Sequence, residues 1–262
     1  LLTLMGFPPF PSFYGKWQLI MELSQQKLFI WIVLILVGSL FEGLYLFRWF
    51  GFVMKGEVEQ KEKLLIHWEK MIPPMLFTIL VLVASHFMNN ASEYGHSLNL
   101  IPIYFIILLF LLDFLPAWIK NSGVIAAMVI YSIKLYPVIA DDTLRLIFAG
   151  IFMVGGILTL FAGFSVKGKR EGFFPFAVMM YAGLIGLIEA QNLFQFFFAW
   201  ELMTLGSYIL ILRGKKSMKH AFNYMLFSLG GAYLIFAGIA LSYFGHHSLD
   251  LSILSTTTMP GW

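Results

Sequence analysis

The sequence lacks cysteine altogether and has few charged residues, only 12% of its 262 positions. Without cysteine, the chain by itself forms neither a disulfide framework nor a thiolate site for a metal or a redox group. No basic surface interleaved with accessible aromatic residues is present, so nucleic-acid binding is not indicated. The His246 and His247 pair is too small a set to indicate a metal site. We therefore expect no metal and no cofactor in this chain.

The amino-terminal run has neither a charged region nor a small-residue cleavage pattern of the secretory kind. The chain begins with Leu1 rather than methionine. We expect it to be part of a longer polypeptide.

Apolar residues are what the sequence has in abundance, at 60% of all positions and a mean hydropathy of +0.83. A helix needs about 20 mostly apolar residues to cross a bilayer, and the apolar runs here are too long for barrel strands. The pattern predicts an all-α, polytopic transmembrane helix bundle of about nine helices, one of them broken. The predicted segments are 1–22, 27–54, 70–88, 98–119, 122–140, 143–165, 172–190, 192–213 and 217–244.

Basic residues fall in alternate connections between these segments. Twelve lysines and arginines lie in one set of connections and two at helix edges on the other side, which predicts that the first set is cytoplasmic. We expect a multi-pass protein of a prokaryotic cytoplasmic membrane. The predicted cytoplasmic connections are 55–70, 120, 167–170 and 213–219.

Five of the ionisable residues in the apolar segments are candidates for groups deep in the bilayer, where charge is costly and commonly serves ion or proton movement. Glu201 is about nine residues into its segment, or about 13 Å along a helix, which is near mid-membrane. Thr204 and Tyr208 share its helical face and are expected to continue a polar track. The alternative is a structural carboxyl, hydrogen-bonded within the bundle.

Lys16 follows the stretch MGFPPFPSFYG, whose prolines and glycines forbid a regular helix. Broken helices at membrane depth occur in transporters, and a cation beside the freed carbonyls is electrostatically favourable. The alternative is a lysine that neutralises the break without moving protons.

Three further charges have weaker patterns around them. Glu42 lies mid-helix among aromatic residues that suit a packed interior, and a functional and a structural role are both open. Asp113 and Lys134 lie on successive segments, and the sequence leaves open whether they meet; a buried pair of this kind is more often a packing device than part of a relay. Glycines at 230, 231 and 238 suggest close helix packing.

Two motifs resemble those of a known family, the antiporter-like membrane subunits of respiratory complex I, Mrp-type cation/proton antiporters and energy-converting membrane hydrogenases. NLFQFFFAWELMTLGSYILI, at 192–211, resembles that family's fifth transmembrane helix, whose glutamate lies on the proton pathway. GFPPFPSFYGKWQLI, at 6–20, resembles its broken twelfth helix, which carries a lysine on the proton exit route. AFNYMLFSLGGAYLIFAGIALSY at 221–243 and GLYLFRWF at 43–50 are similar to the sixth and thirteenth helices.

The resemblance implies a junction of two fused units. Residues 1–90 resemble the last three helices of a first unit, and residues 98–262 contain the first six of a second, joined through an outer connection at 88–99. The implied proton-pathway residues are Glu201 and Lys16, with Glu42, Lys134 and Asp113 as secondary candidates.

The resemblance also implies partners: other membrane subunits, the lipid bilayer, and a redox arm with iron–sulfur clusters held by partner proteins. The implied activity is proton translocation within a redox-driven pump. A Mrp-type Na⁺/H⁺ antiporter component and a non-catalytic membrane scaffold are the alternatives, and complex membership and a Glu201→Gln variant discriminate among them.

Overall fold

The computed structural model describes residues 2–8, 10–55, 68–91, 98, 100–165 and 172–252. Within these ranges the chain is helical, and its one β-like feature is an isolated bridge between Asn192 and Asp250. The all-α helix bundle expected from the sequence is confirmed. The helices are α1 (Leu2–Met5), α2 (Pro11–Gln25), α3 (Phe29–Lys55), α4 (Trp68–Ala91), α5 (Ile101–Leu111), α6 (Ala117–Ile139), α7 (Thr143–Ser165), α8 (Phe173–Glu189), α9 (Leu193–Leu212) and α10 (Met218–His246).

The predicted segments correspond to α1 and α2 together, followed by α3 to α10. By length and composition, α3, α6, α7, α9 and α10 are apolar enough to cross a membrane, whereas α5 and α8 are shorter apolar helices. At 1.5 Å per residue, the 29-residue α10 is about 43 Å long and the 11-residue α5 about 16 Å.

The predicted break at the start of the chain lies between α1 and α2. α1 ends at Met5, and Gly6 takes a left-handed conformation with φ of 71°, which glycine adopts at little steric cost. The Gly6 N–H donates to the Thr3 carbonyl at 3.2 Å and closes the helix end. α2 then begins at Pro11, where proline's missing N–H is no loss because first-turn N–H groups have no partner within the helix.

The boundary between α5 and α6 differs from the prediction. The segments 98–119 and 122–140 placed the connection around Lys120, but α5 ends at Leu111 and α6 begins at Ala117. Pro116 is the N-cap of α6, and a proline disfavours helical conformation in the residue before it. Lys120 is therefore in the first turn of a helix, and Asp113 is in the connection.

The described chain packs as two compact units. Unit 1 contains α1 to α4, Asn192–Phe197 and α10; unit 2 contains α5 to α8 and Phe198–Gly214. In unit 1, α10 packs along α3 and α2. The Trp17 indole stacks on Phe236 at 4.9 Å and meets Phe194 edge-on at 4.7 Å, a geometry that favours aromatic pairs. Ser24 Oγ donates to the Ala240 carbonyl at 2.5 Å, fastening α2 to α10.

In unit 2, α8 and the later part of α9 approach each other closely enough for backbone contact. A Cβ added to Gly183 would lie 2.6 Å from the Met203 Cα, and one added to Gly206 would lie 2.6 Å from the Met180 nitrogen. Only glycine permits this approach at those two positions.

The glycines singled out in the sequence are different ones. They are Gly230, Gly231 and Gly238, and a Cβ added at any of the three would meet no atom within 4 Å. The expectation of close helix packing at these positions is therefore wrong.

Parts of the sequence predictions lie outside the described residues. These parts are the middle of the 55–70 connection, the 167–170 connection and most of the 88–99 junction. The division into two ancestral units at 1–90 and 98–262 concerns descent rather than packing, and it stays a prediction.

Candidate functional site

Glu201 lies on α9, the most enclosed of the five long apolar helices. Buried residues make up 61% of the α9 span, against 17–33% of the other four. Glu201 is eight residues from Leu193 and eleven from Leu212, or about 12 Å and 17 Å along the helix. The carboxyl is therefore near the middle of a helix whose surroundings are protein.

The face of α9 that carries Glu201 is polar and buried. Glu201 is 4% exposed, Thr204 1% and Tyr208 2%. These residues are three and seven positions apart, which places them on one side of an α-helix. The Thr204 hydroxyl makes no hydrogen bond to any described residue, so it is available to a carboxyl or to water. The polar track that the sequence predicted along Glu201, Thr204 and Tyr208 is a buried polar face of α9.

Lys16 lies on α2 against the break that precedes it. Its Nζ donates to the Met5 carbonyl at 3.1 Å, and a Cβ on Gly6 would lie 2.8 Å from that Nζ. Ser12 Oγ donates to the Thr3 carbonyl. The ammonium thus lies against a carbonyl group at the end of α1, where partial negative charge favours a cation.

The ion-pair partner of Asp113 is Lys120, and Lys134 is exposed. The Asp113 carboxylate lies 2.7 Å from Lys120 Nζ and also accepts the Gly172 N–H. Lys120 Nζ lies 5.4 Å from the centre of the Phe174 ring. α5 ends at Leu111, before the predicted end of its segment, so Asp113 lies in the α5–α6 connection. Its carboxylate links that connection to the start of α8.

This bridge also bears on the charge pattern of the loops. Lys120, Gly172 and Arg213 border connections that the sequence assigned to one side of the membrane, and Arg213 lies over Phe176 at 5.7 Å. A Cβ on Gly172 would lie 2.9 Å from an Arg213 guanidinium nitrogen. The structure brings these groups together at one end of unit 2, as a shared side requires.

We expect Asp113→Asn to lower the stability of the detergent-solubilised protein by about 1–3 kcal/mol, the usual effect of losing hydrogen bonds to a charged group. The side chains of the bridge are only 9% and 17% exposed, so the lysine left behind is poorly hydrated. The apparent melting temperature is the measurement. Asp142→Asn is the matched control, because its ion pair with Arg145 is 41% and 50% exposed and contributes little. Equal shifts for the two variants would contradict this account.

Glu42 and Lys134 are both exposed in the described structure. The packed interior expected around Glu42 is found only in part, because Phe47 is fully buried whereas Tyr45 is 71% exposed and Trp49 50%. Glu42 lies near the middle of the 27-residue α3, and Lys134 near the end of α6. Their places on a proton pathway stay predictions.

One charged residue that the sequence reasoning passed over has a well-defined partner. Tyr131 Oη on α6 lies 2.6 Å from each carboxyl oxygen of Glu189, the last residue of α8. The signal was available, because Glu189 ends a run that otherwise has no charge between Phe173 and Ile188. Glu189 lies at the edge of its predicted segment, where charged residues are expected to be exposed, and it was therefore not singled out from the sequence.

The chain is similar to curated proteins described as chain 4 of NAD(P)H-quinone oxidoreductases. It is 30% identical over 116 residues to NAD(P)H-quinone oxidoreductase chain 4-1 of Synechocystis sp., covering 42% of this chain and 22% of that protein. It is 31% identical over 100 residues to the chloroplastic chain 4 of Chlorokybus atmophyticus, covering 36% and 20%. It is 30% identical over 117 residues to that of Angiopteris evecta, covering 42% and 24%.

The chain spans about a fifth of the length of these curated relatives. No protein-family model matches it, and no solved structure matches it. As its motifs predicted, the chain is a multi-pass membrane protein that resembles the antiporter-like subunits of complex I, through similarity to chain 4 of NAD(P)H-quinone oxidoreductases.

Proposed function

We propose that the chain is part of a proton-translocating, antiporter-like subunit of a redox-driven membrane complex. The observation that carries this proposal is the burial of Glu201, with Thr204 and Tyr208, in the middle of the most enclosed helix. A carboxyl at that depth is costly in lipid and is typical of residues that bind and release protons. The names of the similar proteins support the redox-driven class.

The proposed chemistry is a change in the proton affinity of Glu201. Removal from water favours the neutral carboxyl, and a nearby cation favours the carboxylate. A lysine on a neighbouring helix of the whole protein, moving toward or away from Glu201, would switch it between releasing and binding a proton. The Thr204 hydroxyl would hydrogen-bond either form.

The proposed setting is a prokaryotic cytoplasmic membrane with the basic connections inside. The gathering of Lys120, Gly172 and Arg213 at one end of unit 2 supports a shared side for their connections. Other membrane subunits would surround the bundle. Electrons would pass through iron–sulfur clusters in partner proteins.

Purification of the intact complex, followed by reconstitution into sealed vesicles, tests this function. We expect iron–sulfur proteins to co-purify, and electron transfer to a quinone to drive proton movement without Na⁺. Ion movement that needs no electron donor and depends on a Na⁺ gradient would instead identify an antiporter. A complex with electron transfer and no ion movement would identify a scaffold.

We expect Lys16→Met and Lys16→Arg to lower proton translocation by similar factors, each by about tenfold. Arginine keeps the positive charge and the donors that Met5 requires, but it does not release its proton at physiological pH. Proton movement per electron in reconstituted vesicles is the measurement. A Lys16→Arg variant that translocates like the unmodified protein would leave Lys16 as a fixed charge that stabilises the break.

A further inference from the structure

α3 carries a carboxyl near the middle of a helix that is long enough to cross a membrane. Glu42 is thirteen residues from Phe29 and thirteen from Lys55, or about 20 Å from either end of the helix. Trp31 and Trp49 are exposed and eighteen residues apart, which is about 27 Å and close to the hydrocarbon thickness of a bilayer. Tryptophan is enriched at both membrane surfaces, so these two rings put Glu42 within about 3 Å of the bilayer centre.

Glu42 belongs to a continuous exposed stripe along α3. The helix packs on α10 through a different side, where a Cβ on Gly43 would lie 3.1 Å from a Leu229 methyl group and Tyr233 Oη donates to the Ser39 carbonyl at 3.3 Å. Members of the exposed stripe recur every three or four residues, the spacing of one helical face. They are Trp31, Leu34, Gly38, Glu42, Tyr45 and Trp49. Because all six are exposed, no helix of the described structure covers this stripe.

No residue within the described ranges neutralises Glu42. Neither a hydrogen bond nor an ion pair reaches its carboxylate from these residues. Arg48 is the nearest cation on α3, but a separation of six residues places it about 9 Å along the axis and about 120° around the helix. The Arg48 guanidinium instead lies 6.0 Å from the centre of the Phe52 ring. Ionisable groups at this depth are almost always turned away from lipid or paired, so the exposed stripe requires a protein neighbour.

The chemistry of the exposed stripe specifies that neighbour. A segment that covers α3 inside the bilayer has to be a helix, because a helix satisfies its own backbone groups there. A Cβ on Gly38, one turn before Glu42, would meet no atom within 4 Å, so a second backbone has room to approach at this point. Trp31, Tyr45 and Trp49 provide apolar contact on both sides of the carboxylate. A lysine or arginine at the same depth provides the opposite charge.

We propose that the exposed stripe of α3 binds a membrane-spanning helix of another subunit, and that a lysine or arginine near the middle of that helix pairs with Glu42. This inference rests on the proposed function for the existence of partner subunits. Pairing within the membrane confers selectivity as well as contact, because a helix that lacks the cation leaves the carboxylate buried without a partner. The exposed stripe therefore selects its neighbour by the depth of a single positive charge.

Photo-cross-linking in the intact, membrane-embedded complex identifies the neighbour. Benzoylphenylalanine replaces Tyr45, which is 71% exposed and one turn from Glu42. We expect the cross-linked peptide to come from an apolar helix of a different subunit and to carry a lysine or arginine in the middle third of that helix. The same probe at Phe227, an exposed position of α10, is the control and should not yield this peptide.

A charge exchange tests the ion pair itself. We expect Glu42→Lys to lower the amount of the cross-linked subunit recovered with the chain by at least about fivefold, because two like charges would then be buried together. Replacing the partner's cation with glutamate should restore at least about half of that recovery. Glu22→Lys is the matched control, since Glu22 is an exposed carboxylate on α2, and it should leave recovery unchanged. If Glu42→Lys reduces the yield of the chain itself, Glu42→Gln takes its place and should lower recovery at least about twofold.

Cross-links to lipid alone, to a second copy of this chain or to another segment of the same polypeptide would overturn this proposal. Normal recovery of the subunit with Glu42→Lys, or a loss that the exchanged charge does not restore, would overturn it as well. Proton movement is not a readout of these experiments, so their failure leaves the proposed function standing. The Glu201→Gln variant tests that function separately.

Discussion

Glu201→Gln is expected to reduce proton movement through the intact complex by at least about tenfold, a modest loss for a group that transfers protons. Glutamine has nearly the same shape and still hydrogen-bonds, so α9 should pack as before. What it loses is the ability to bind and release a proton. The measurement is proton movement per electron in sealed vesicles, with the amount of assembled complex determined in the same preparation.

Glu22→Gln is the matched control for this substitution. Glu22 is an exposed carboxylate on α2 that accepts a hydrogen bond from the Gln26 side chain, so the same chemical change there should leave translocation unaltered. Glu201→Asp keeps a titrating group one methylene shorter and should retain part of the activity. Normal pumping by Glu201→Gln would mean that the buried carboxyl is structural and that the chain acts as a scaffold.

Gly183→Leu is expected to prevent stable assembly of unit 2. Even the first side-chain atom would lie 2.6 Å from the Met203 Cα, and backbone has little freedom to give way. The smaller changes Gly183→Ala and Gly206→Ala should each cost about 1–3 kcal/mol, as overpacking in a close-packed interior usually does. Yield of monodisperse protein and its apparent melting temperature in detergent are the measurements.

Gly230→Ala and Gly238→Ala are the controls for this prediction. Both glycines lie inside α10 with open space around them, so an added methyl group meets nothing. Alanine also has a higher helix propensity than glycine, which favours a small gain in stability. A loss of stability at Gly238 as large as that at Gly183 would contradict the packing described for α8 and α9.

The number and order of the helices were predictable because the bilayer imposes a simple requirement. Every backbone polar group must be satisfied within a spanning segment, so long apolar runs become helices whatever their neighbours. The break before α2 was also predictable, since Gly6 and Pro11 act through their own covalent geometry. Burial of Glu201 agreed with its depth in an unusually aromatic helix.

The pairing of side chains was much less predictable. Lys134 was a reasonable partner for Asp113 by sequence distance, but an early end of α5 placed Asp113 beside Lys120 and Gly172 instead. Glu189 drew no notice because its partner is 58 positions away.

The sequence by itself determined a bundle of apolar helices, a proline-broken segment and a carboxyl near the middle of an apolar helix, because each depends on a single run of residues and the solvent around it. The tertiary structure alone decided which glycines bring helices into contact, which charges pair, and that Tyr131 holds Glu189. These features depend on the register between helices distant in the chain, and helical periodicity sets the face of each helix without setting what lies opposite.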